Sequence, residues 1–235
     1  MSKANTTSFR SYFTLARENA NFRNLWFGQI VSLFGDWFNL IASAALIAKL
    51  TESGMAIGGL FVVRMLAPFL ISPFAGVWSD RFNRKTLLLI SDFMRFGTVL
   101  FFLLIREPEH VWLLYVLTAI QFALTGVFFP TRTAMLPEVV EQKSLGAANA
   151  LTSATWSVML ALGAAVGGIV ADLFGIYVAF GIDAFTFLLS AYFIWQIKYV
   201  SKPPLEGKEN VNGLKAVFEN YWIGIQYLLK HKDIL

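Results

Sequence analysis

The sequence contains no cysteine in 235 residues, which excludes disulfide bonds and thiolate metal sites. It has only two histidines and no phosphate loop of the G-x-x-x-x-G-K-[ST] type, so nothing predicts an enzyme or an ATP-driven machine. Charged residues are also scarce, at 14% against about 25% in average soluble domains. No basic run is interleaved with exposed aromatics, so we expect no nucleic-acid partner, and we expect neither metal nor cofactor.

Apolar residues are abundant instead: 57% of the chain is hydrophobic and the mean hydropathy is +0.60. A helix needs about 20 apolar residues to cross the hydrocarbon core, and long continuous runs favour helices over a membrane β-barrel. The sequence therefore predicts an all-α membrane protein, a bundle of six transmembrane helices. The predicted spans are 24–48, 56–78, 86–105, 111–131, 146–170 and 176–197.

The distribution of basic residues predicts the orientation. With the N-terminus in the cytoplasm, 15 of the 19 Lys and Arg residues, Arg132 among them, fall in cytoplasmic segments. Lys49 and Arg106 fall outside, and Arg64 and Arg95 lie within spans. We expect a cytoplasmic N-terminal segment at 1–23, the bundle at 24–198, and a cytoplasmic linker with an amphipathic helix at 199–235. That helix either lies on the membrane interface or packs against the bundle.

The end of the second span resembles the end of the fifth, with glycine, aspartate and phenylalanine at the same spacing. Helices two and five of a six-helix bundle end on opposite sides of the membrane, so this echo predicts an inverted three-plus-three repeat. The matched residues are Gly76 with Gly168, Asp80 with Asp172, Phe82 with Phe174, and Asp92 with Asp183.

The loop between the second and third spans carries the most specific motif. It reads Gly-Val-Trp-Ser-Asp-Arg-Phe-Asn-Arg-Lys, with its defining positions at Gly76, Asp80, Arg81, Arg84 and Lys85. All five match the signature G-x-x-x-D-R-x-x-R-[RK], so the chain resembles the major facilitator superfamily. The resemblance implies that these residues latch the N-terminal half of a twelve-helix transporter against its C-terminal half.

Other segments resemble the multidrug, macrolide and siderophore efflux branch of that family. They are Phe22–Trp26, Gly28–Asp36, Ser91–Arg95 and Phe129–Pro137, and the resemblance covers about residues 20 to 235. It implies the N-terminal six-helix half of a proton-driven antiporter in the bacterial cell membrane, one that exports amphipathic drugs or siderophores by alternating access. The antiporter signature G-P-x-x-G-G keeps its glycines at Gly163, Gly167 and Gly168, which favour close helix packing. It lacks the proline, which weakens the inference of antiport.

Several ionisable residues fall inside predicted spans, where they are costly and mark functional sites by default. Asp36 lies about 12 residues into the first span, or roughly 18 Å at 1.5 Å per residue, near the membrane midplane. It is the candidate for proton coupling, with a structural aspartate as the alternative. Asp92 and Arg95 share a helix face and can form a structural pair. Arg64 either pairs with Asp183 or attracts an anionic substrate.

Polar and aromatic residues near the middle of the spans are candidates for a substrate cavity. They are Gln29, Trp37, Gln121, Phe128 and Trp156. The expected partners are membrane lipid, protons, a small amphipathic organic substrate, and either the missing C-terminal half or a second copy of the chain. Two rival hypotheses remain: a truncated or scaffold membrane protein without transport activity, and a half-size transporter that acts as a homodimer.

Overall fold

The computed structural model describes residues 9–199, and long helices account for most of them. The amphipathic helix predicted after residue 199 lies outside the described residues. Within the described range there is no β-strand, and two short 3₁₀ turns, Pro108–His110 and Gln142–Ser144, precede the fifth and sixth helices. The helices are α1 Phe9–Glu18, α2 Ala20–Thr51, α3 Gly54–Arg81, α4 Arg84–Phe102, α5 Val111–Val139, α6 Leu145–Leu173 and α7 Ile176–Trp195.

The six long helices α2 to α7 coincide with the six predicted spans. Among the described residues, five of them are long and apolar enough to cross a membrane, and α4 is the exception. The 19 residues of α4 include four charged side chains, which lower its hydropathy. At 1.5 Å per residue α4 is still about 28 Å long, close to the thickness of a hydrocarbon core. Its four charged residues are Arg84, Lys85, Asp92 and Arg95.

The fourth span is longer than predicted. The sequence suggested an end at residue 131, but α5 continues through Pro130 and Pro137 to Val139. Proline inside a membrane helix is tolerated where neighbouring groups satisfy the nearby backbone, and Arg84 donates to the carbonyl of Ala134 at 2.8 Å. The expectation that Arg132 lies beyond the end of the fourth helix is therefore wrong: it lies within α5 and is 2% exposed.

The packing of the helices follows the predicted repeat. Helix α2 packs along α6 and α7, and α5 packs along α3 and α4. If helices α2, α3 and α4 correspond to α5, α6 and α7, the contact of α2 with α6 corresponds to that of α5 with α3. The contact of α2 with α7 then corresponds to that of α5 with α4. The matched segments also end alike, because Phe82 follows the last residue of α3 and Phe174 follows the last residue of α6. This is the pattern expected of two three-helix units in inverted orientation.

Short connections fix the order of the helices. The side chains of Asn19, Ser53 and Asn83 accept hydrogen bonds from backbone N–H groups at the start of α2, α3 and α4. Two residues join α6 to α7, and the second of them, Gly175, has a φ of 93°, a conformation that glycine adopts without strain. Such tight joints make consecutive helices cross the bundle in alternating directions.

Candidate functional site

A cluster of polar side chains lies inside the bundle, where α2, α4, α5 and α7 meet. Each member is at most 7% exposed, although the helices that carry it are strongly apolar. Groups of this kind are costly in a membrane protein and mark ion or substrate pathways. The members are Ser32, Asp36 and Asn39 of α2, Asp92 and Arg95 of α4, Gln121 of α5, and Asp183, Thr186 and Ser190 of α7.

Asp92 and Arg95 form a fully buried ion pair, as their spacing predicts. The second carboxylate oxygen of Asp92 accepts a hydrogen bond from Ser190 Oγ at 2.7 Å. Arg95 Nη1 donates to Ser32 Oγ at 3.2 Å. The pair therefore joins α4 to both α2 and α7, and both oxygens of Asp92 have partners. This geometry supports a structural role for the pair.

The guanidinium of Arg95 also lies between two aromatic rings. Its Cζ atom is 4.2 Å from the ring centre of Phe128 and 4.4 Å from that of Phe187. Cation–π contacts of this kind are strongest where water is excluded. Phe128, predicted as a cavity residue, instead packs against the central charge and is 2% exposed.

Asp36 differs from Asp92, because no ion pair joins it to another residue within the described range 9–199. It is 7% exposed, and within the described part of the chain its Oδ1 atom has no hydrogen-bond partner. Arg95, Arg64 and Gln121 lie within electrostatic or hydrogen-bonding reach of its carboxyl group. Among the described residues, therefore, the Asp36 carboxyl is not fixed by a salt bridge, in contrast to that of Asp92.

The ion pair predicted between Arg64 and Asp183 does not form. Among the described residues no salt bridge joins them, and the Arg64 guanidinium lies 3.9 Å above the ring of Phe122. Asp183 Oδ2 accepts hydrogen bonds from Asn39 at 2.9 Å and from Gln121 at 3.4 Å. The carboxylate of α7 is held against α2 and α5, so Arg64 on α3 acts on it only through space.

Gly35 explains how Asp183 approaches α2 so closely. A Cβ atom at Gly35 would lie 2.0 Å from Thr186 Oγ1 and 2.6 Å from Asp183 Oδ1. Any side chain at position 35 would therefore push α7 away from α2. Small residues at such contacts let the backbones of membrane helices approach closely. The absence of a side chain at this position places the Asp183 carboxylate beside the residue that precedes Asp36.

The motif loop lies at the end of the bundle where α2 begins. Arg84 forms a 3.1 Å ion pair with Glu138 near the end of α5, and a weaker 3.7 Å contact with Asp80. Lys85 Nζ donates to the carbonyls of Trp195 and Ile197, each at 2.7 Å, at the end of α7. A lysine there satisfies free carbonyls and complements the negative end of the helix dipole. Arg84 and Lys85 thus bind together the ends of α3, α4, α5 and α7.

The other motif residues face outward. Gly76, Asp80 and Arg81 are exposed, and a Cβ atom at Gly76 would meet nothing within 4 Å. The side chain of Asp80 is 64% exposed despite its contact with Arg84. The basic second half of the motif therefore stabilises this bundle from within, and its first half presents an acidic and a basic side chain at the surface.

The glycines of α6 have two different environments. A Cβ atom at Gly163 would lie 2.7 Å from the Trp37 ring, and one at Gly167 would lie 3.4 Å from Phe38 Cα. Both positions pack against α2, and Trp37 fills the space that Gly163 leaves. Gly168 has no neighbour within 4 Å of a Cβ position, so the structure does not place it in this contact.

The remaining cavity candidates are spread across the bundle. Gln29 is buried and donates to the carbonyl of Thr152 at 3.4 Å. Gln121 belongs to the central cluster, and Trp156 is 50% exposed on α6. Of the five candidates, only Gln121 lies in the central cluster with Asp36, whereas Gln29 and Trp37 join α2 to α6.

Two residues that sequence reasoning missed contribute to the buried polar groups. Asn39, fully buried one turn after Asp36, donates to Asp183. Arg132 is 2% exposed and donates to Thr152 Oγ1 at 3.3 Å, between α5 and α6. The spacing of Asn39 from Asp36 was a usable signal. Arg132 was missed because the end of its helix was placed too early.

A bundle of membrane-length helices with charged groups buried at its centre is characteristic of α-helical membrane transport proteins. The family model described as Major Facilitator Superfamily matches residues 25–234. The chain belongs to this family, and it is accordingly a multi-pass membrane protein of a transporter class.

The similar proteins are bacterial transporters. YfiS of Bacillus subtilis, an uncharacterized MFS-type transporter, is 29% identical over 77% of this chain and 43% of its own length. BacE of Bacillus subtilis, named as a candidate bacilysin exporter, is 26% identical over 92% of this chain and 52% of its own length. The multidrug resistance protein MdtG of Salmonella dublin is 32% identical over 67% of this chain and 40% of its own length. The chain thus spans about half the length of the curated relatives that it matches.

Proposed function

We propose that this chain forms the N-terminal bundle of a proton-driven exporter of amphipathic organic molecules, such as drugs or siderophores. The observation that carries the proposal is Asp36, a buried carboxyl that forms no ion pair with any described residue. It lies at the centre of a bundle that belongs to a transporter family. Proton entry at Asp36 would supply the driving force, and alternating access would move the substrate outward. Gln121, within reach of Asp36, is the cavity candidate best placed to contact substrate.

The substrate class is supported by the names of two relatives. MdtG is named for multidrug resistance and BacE for bacilysin export, and drugs and bacilysin are small organic molecules. Exposed aromatic residues on α3 and α6, such as Phe69 and Trp156, offer an apolar surface on the outside of this bundle, where a second bundle could face it. An amphipathic substrate suits a path with an apolar wall and a few buried polar groups.

We further propose that a second six-helix bundle completes the transport path, as a C-terminal half or as a second copy of this chain. The relatives are about twice as long as the matched region. Gly76, Asp80 and Arg81 would form the latch against that bundle, because they face outward. Arg84 and Lys85 would hold the latch in place through their contacts with α5 and α7.

The test is transport by proteoliposomes that contain this chain together with a matching second bundle. We expect an imposed proton gradient to drive accumulation of a fluorescent amphipathic dye against its concentration gradient, and a protonophore to stop it. The chain alone, as a verified monomer, should show no proton-coupled transport. Dye accumulation that ignores the proton gradient would contradict the proposed coupling, and robust proton-coupled flux from the monomer would contradict the need for a second bundle.

Both chain ends are proposed to lie in the cytoplasm of a bacterial cell. Because the chain has no native cysteine, single cysteines can report the orientation without background. We expect Asn83→Cys and Gln142→Cys to resist a membrane-impermeant maleimide in intact cells, and Glu107→Cys and Asp172→Cys to react. All four positions are exposed in the structure. The reverse labelling pattern would overturn the assignment.

A further inference from the structure

Asp36 shares its surroundings with a second carboxyl group, that of Asp183 on α7. Because Gly35 has no side chain, α2 and α7 pack closely. A Cβ atom added at Gly35 would lie only 2.6 Å from Asp183 Oδ1. Asp36 and Asp183 interact electrostatically, and both are at most 7% exposed. Whatever fixes the charge of one carboxyl must therefore influence the other.

The hydrogen bonds around this pair are incomplete. Two buried donors, Arg64 Nη1 and Arg95 Nε, have no partner among the described residues, and several acceptors have none either. Asp36 Oδ1, Asp183 Oδ1 and Gln121 Oε1 are all buried acceptors without a partner among the described residues. Gln121 points into the cluster, since its amide nitrogen donates to Asp183. A buried carboxylate with an unpaired oxygen is strongly disfavoured. One proton on a carboxyl would add a donor directly beside these three acceptors.

The balance of charged groups around the two carboxyl groups also indicates one bound proton. Within residues 9–199, the cationic side chains that interact with the pair are Arg64 from α3 and Arg95 from α4. Asp92 on α4 completes the set, and it is already paired with Arg95. Helix α5 contributes only the uncharged Gln121 to these surroundings, and the single charged residue of α6, Asp172, lies at its exposed end. Three carboxylates therefore face two guanidinium groups, which leaves one negative charge.

We propose that Asp36 and Asp183 form one coupled proton site, which holds a single exchangeable proton between the two carboxyl groups with Arg64 as the counter-cation. Two like charges that share a buried site do not ionise independently, so the proton belongs to the pair and not to either residue. This inference rests on the proposed function for its role in transport. The proton itself can be detected whether or not transport is proton-driven.

The experiment is infrared difference spectroscopy of the protonated-carboxyl C=O band during a pH titration of the purified protein in lipid nanodiscs. We expect the wild type to show a band of one carboxyl group that disappears as the pH rises. Asp36→Asn and Asp183→Asn should each remove this band, because Arg64 neutralises the single remaining carboxylate. The matched control Asp172→Asn, at an exposed carboxyl outside the cluster, should leave the band unchanged.

Arg64→Gln provides a second, independent variant in case an aspartate variant does not fold. Without the counter-cation both carboxyl groups should be protonated, so the band should double. The proposal is overturned if Asp183→Asn keeps the full band, if the wild type loses two carboxyl protons in separate steps, or if Arg64→Gln leaves the band at one carboxyl. A one-proton band in a protein whose transport ignores the proton gradient would refute the proposed function and leave this pair intact.

Discussion

Arg95→Met is expected to cause the largest loss of bundle stability that we predict. The side chain is fully buried, pairs with Asp92, donates to Ser32 and lies between two aromatic rings. Its removal would leave the Asp92 carboxylate buried without a counter-charge, which costs about 3–5 kcal/mol in comparable cases. Denaturant titration of the purified protein would measure the loss.

A double variant distinguishes the effect of the unpaired charge from the effect of the altered packing. Replacing both partners, Asp92→Leu with Arg95→Met, should recover most of the lost stability, because no unpaired charge remains. Arg106→Met is the matched control, since its guanidinium also stacks on a ring, 4.4 Å from Tyr177, but the residue is exposed. That control should cost no more than about 1 kcal/mol. A small effect of Arg95→Met, or a double variant as unstable as the single one, would contradict a structural ion pair.

Hydropathy and local spacing predicted most of the fold. Continuous apolar runs located the six long helices, and the echo between Gly76–Phe82 and Gly168–Phe174 agreed with the helix contacts. The ion pair of Asp92 with Arg95 was predictable because residues three apart on a helix share a face. The apolar runs and the ion pair depend on neighbours along the chain, and the echo is a direct match between two segments, so the sequence shows all three.

Contacts between distant segments were harder to predict. Asp183 binds Asn39 and Gln121, because the missing side chain at Gly35 lets α7 approach α2. Hydropathy cannot show that approach, so Arg64 looked like the natural partner of Asp183. The contacts of Lys85 with the carbonyls of Trp195 and Ile197, at and just after the end of α7, join positions 110 and 112 residues apart along the chain. From the sequence, a basic loop residue such as Lys85 predicts which side of the membrane the loop lies on, but not which helix it contacts.

Asp36→Asn is expected to abolish uphill export, the largest functional effect that we predict. Asparagine has nearly the same shape and keeps a polar group among the unpaired acceptors, but it cannot carry a proton through the transport cycle. Dye accumulation driven by a proton gradient should fall to the level of protein-free liposomes. Exchange of dye down its own gradient should continue, because alternating access itself needs no net proton movement in that assay.

Two controls make the Asp36 result specific. Asp36→Glu keeps an ionisable carboxyl and should retain part of the coupled transport, with its pH profile altered because the longer side chain meets Arg64 and Arg95 differently. Asp172→Asn removes an exposed carboxyl at the end of α6 and should transport like the wild type. Proton-driven accumulation that survives in Asp36→Asn would show that this aspartate only stabilises the bundle. Loss of both accumulation and downhill exchange would show that Asp36 serves the conformational cycle and not the proton.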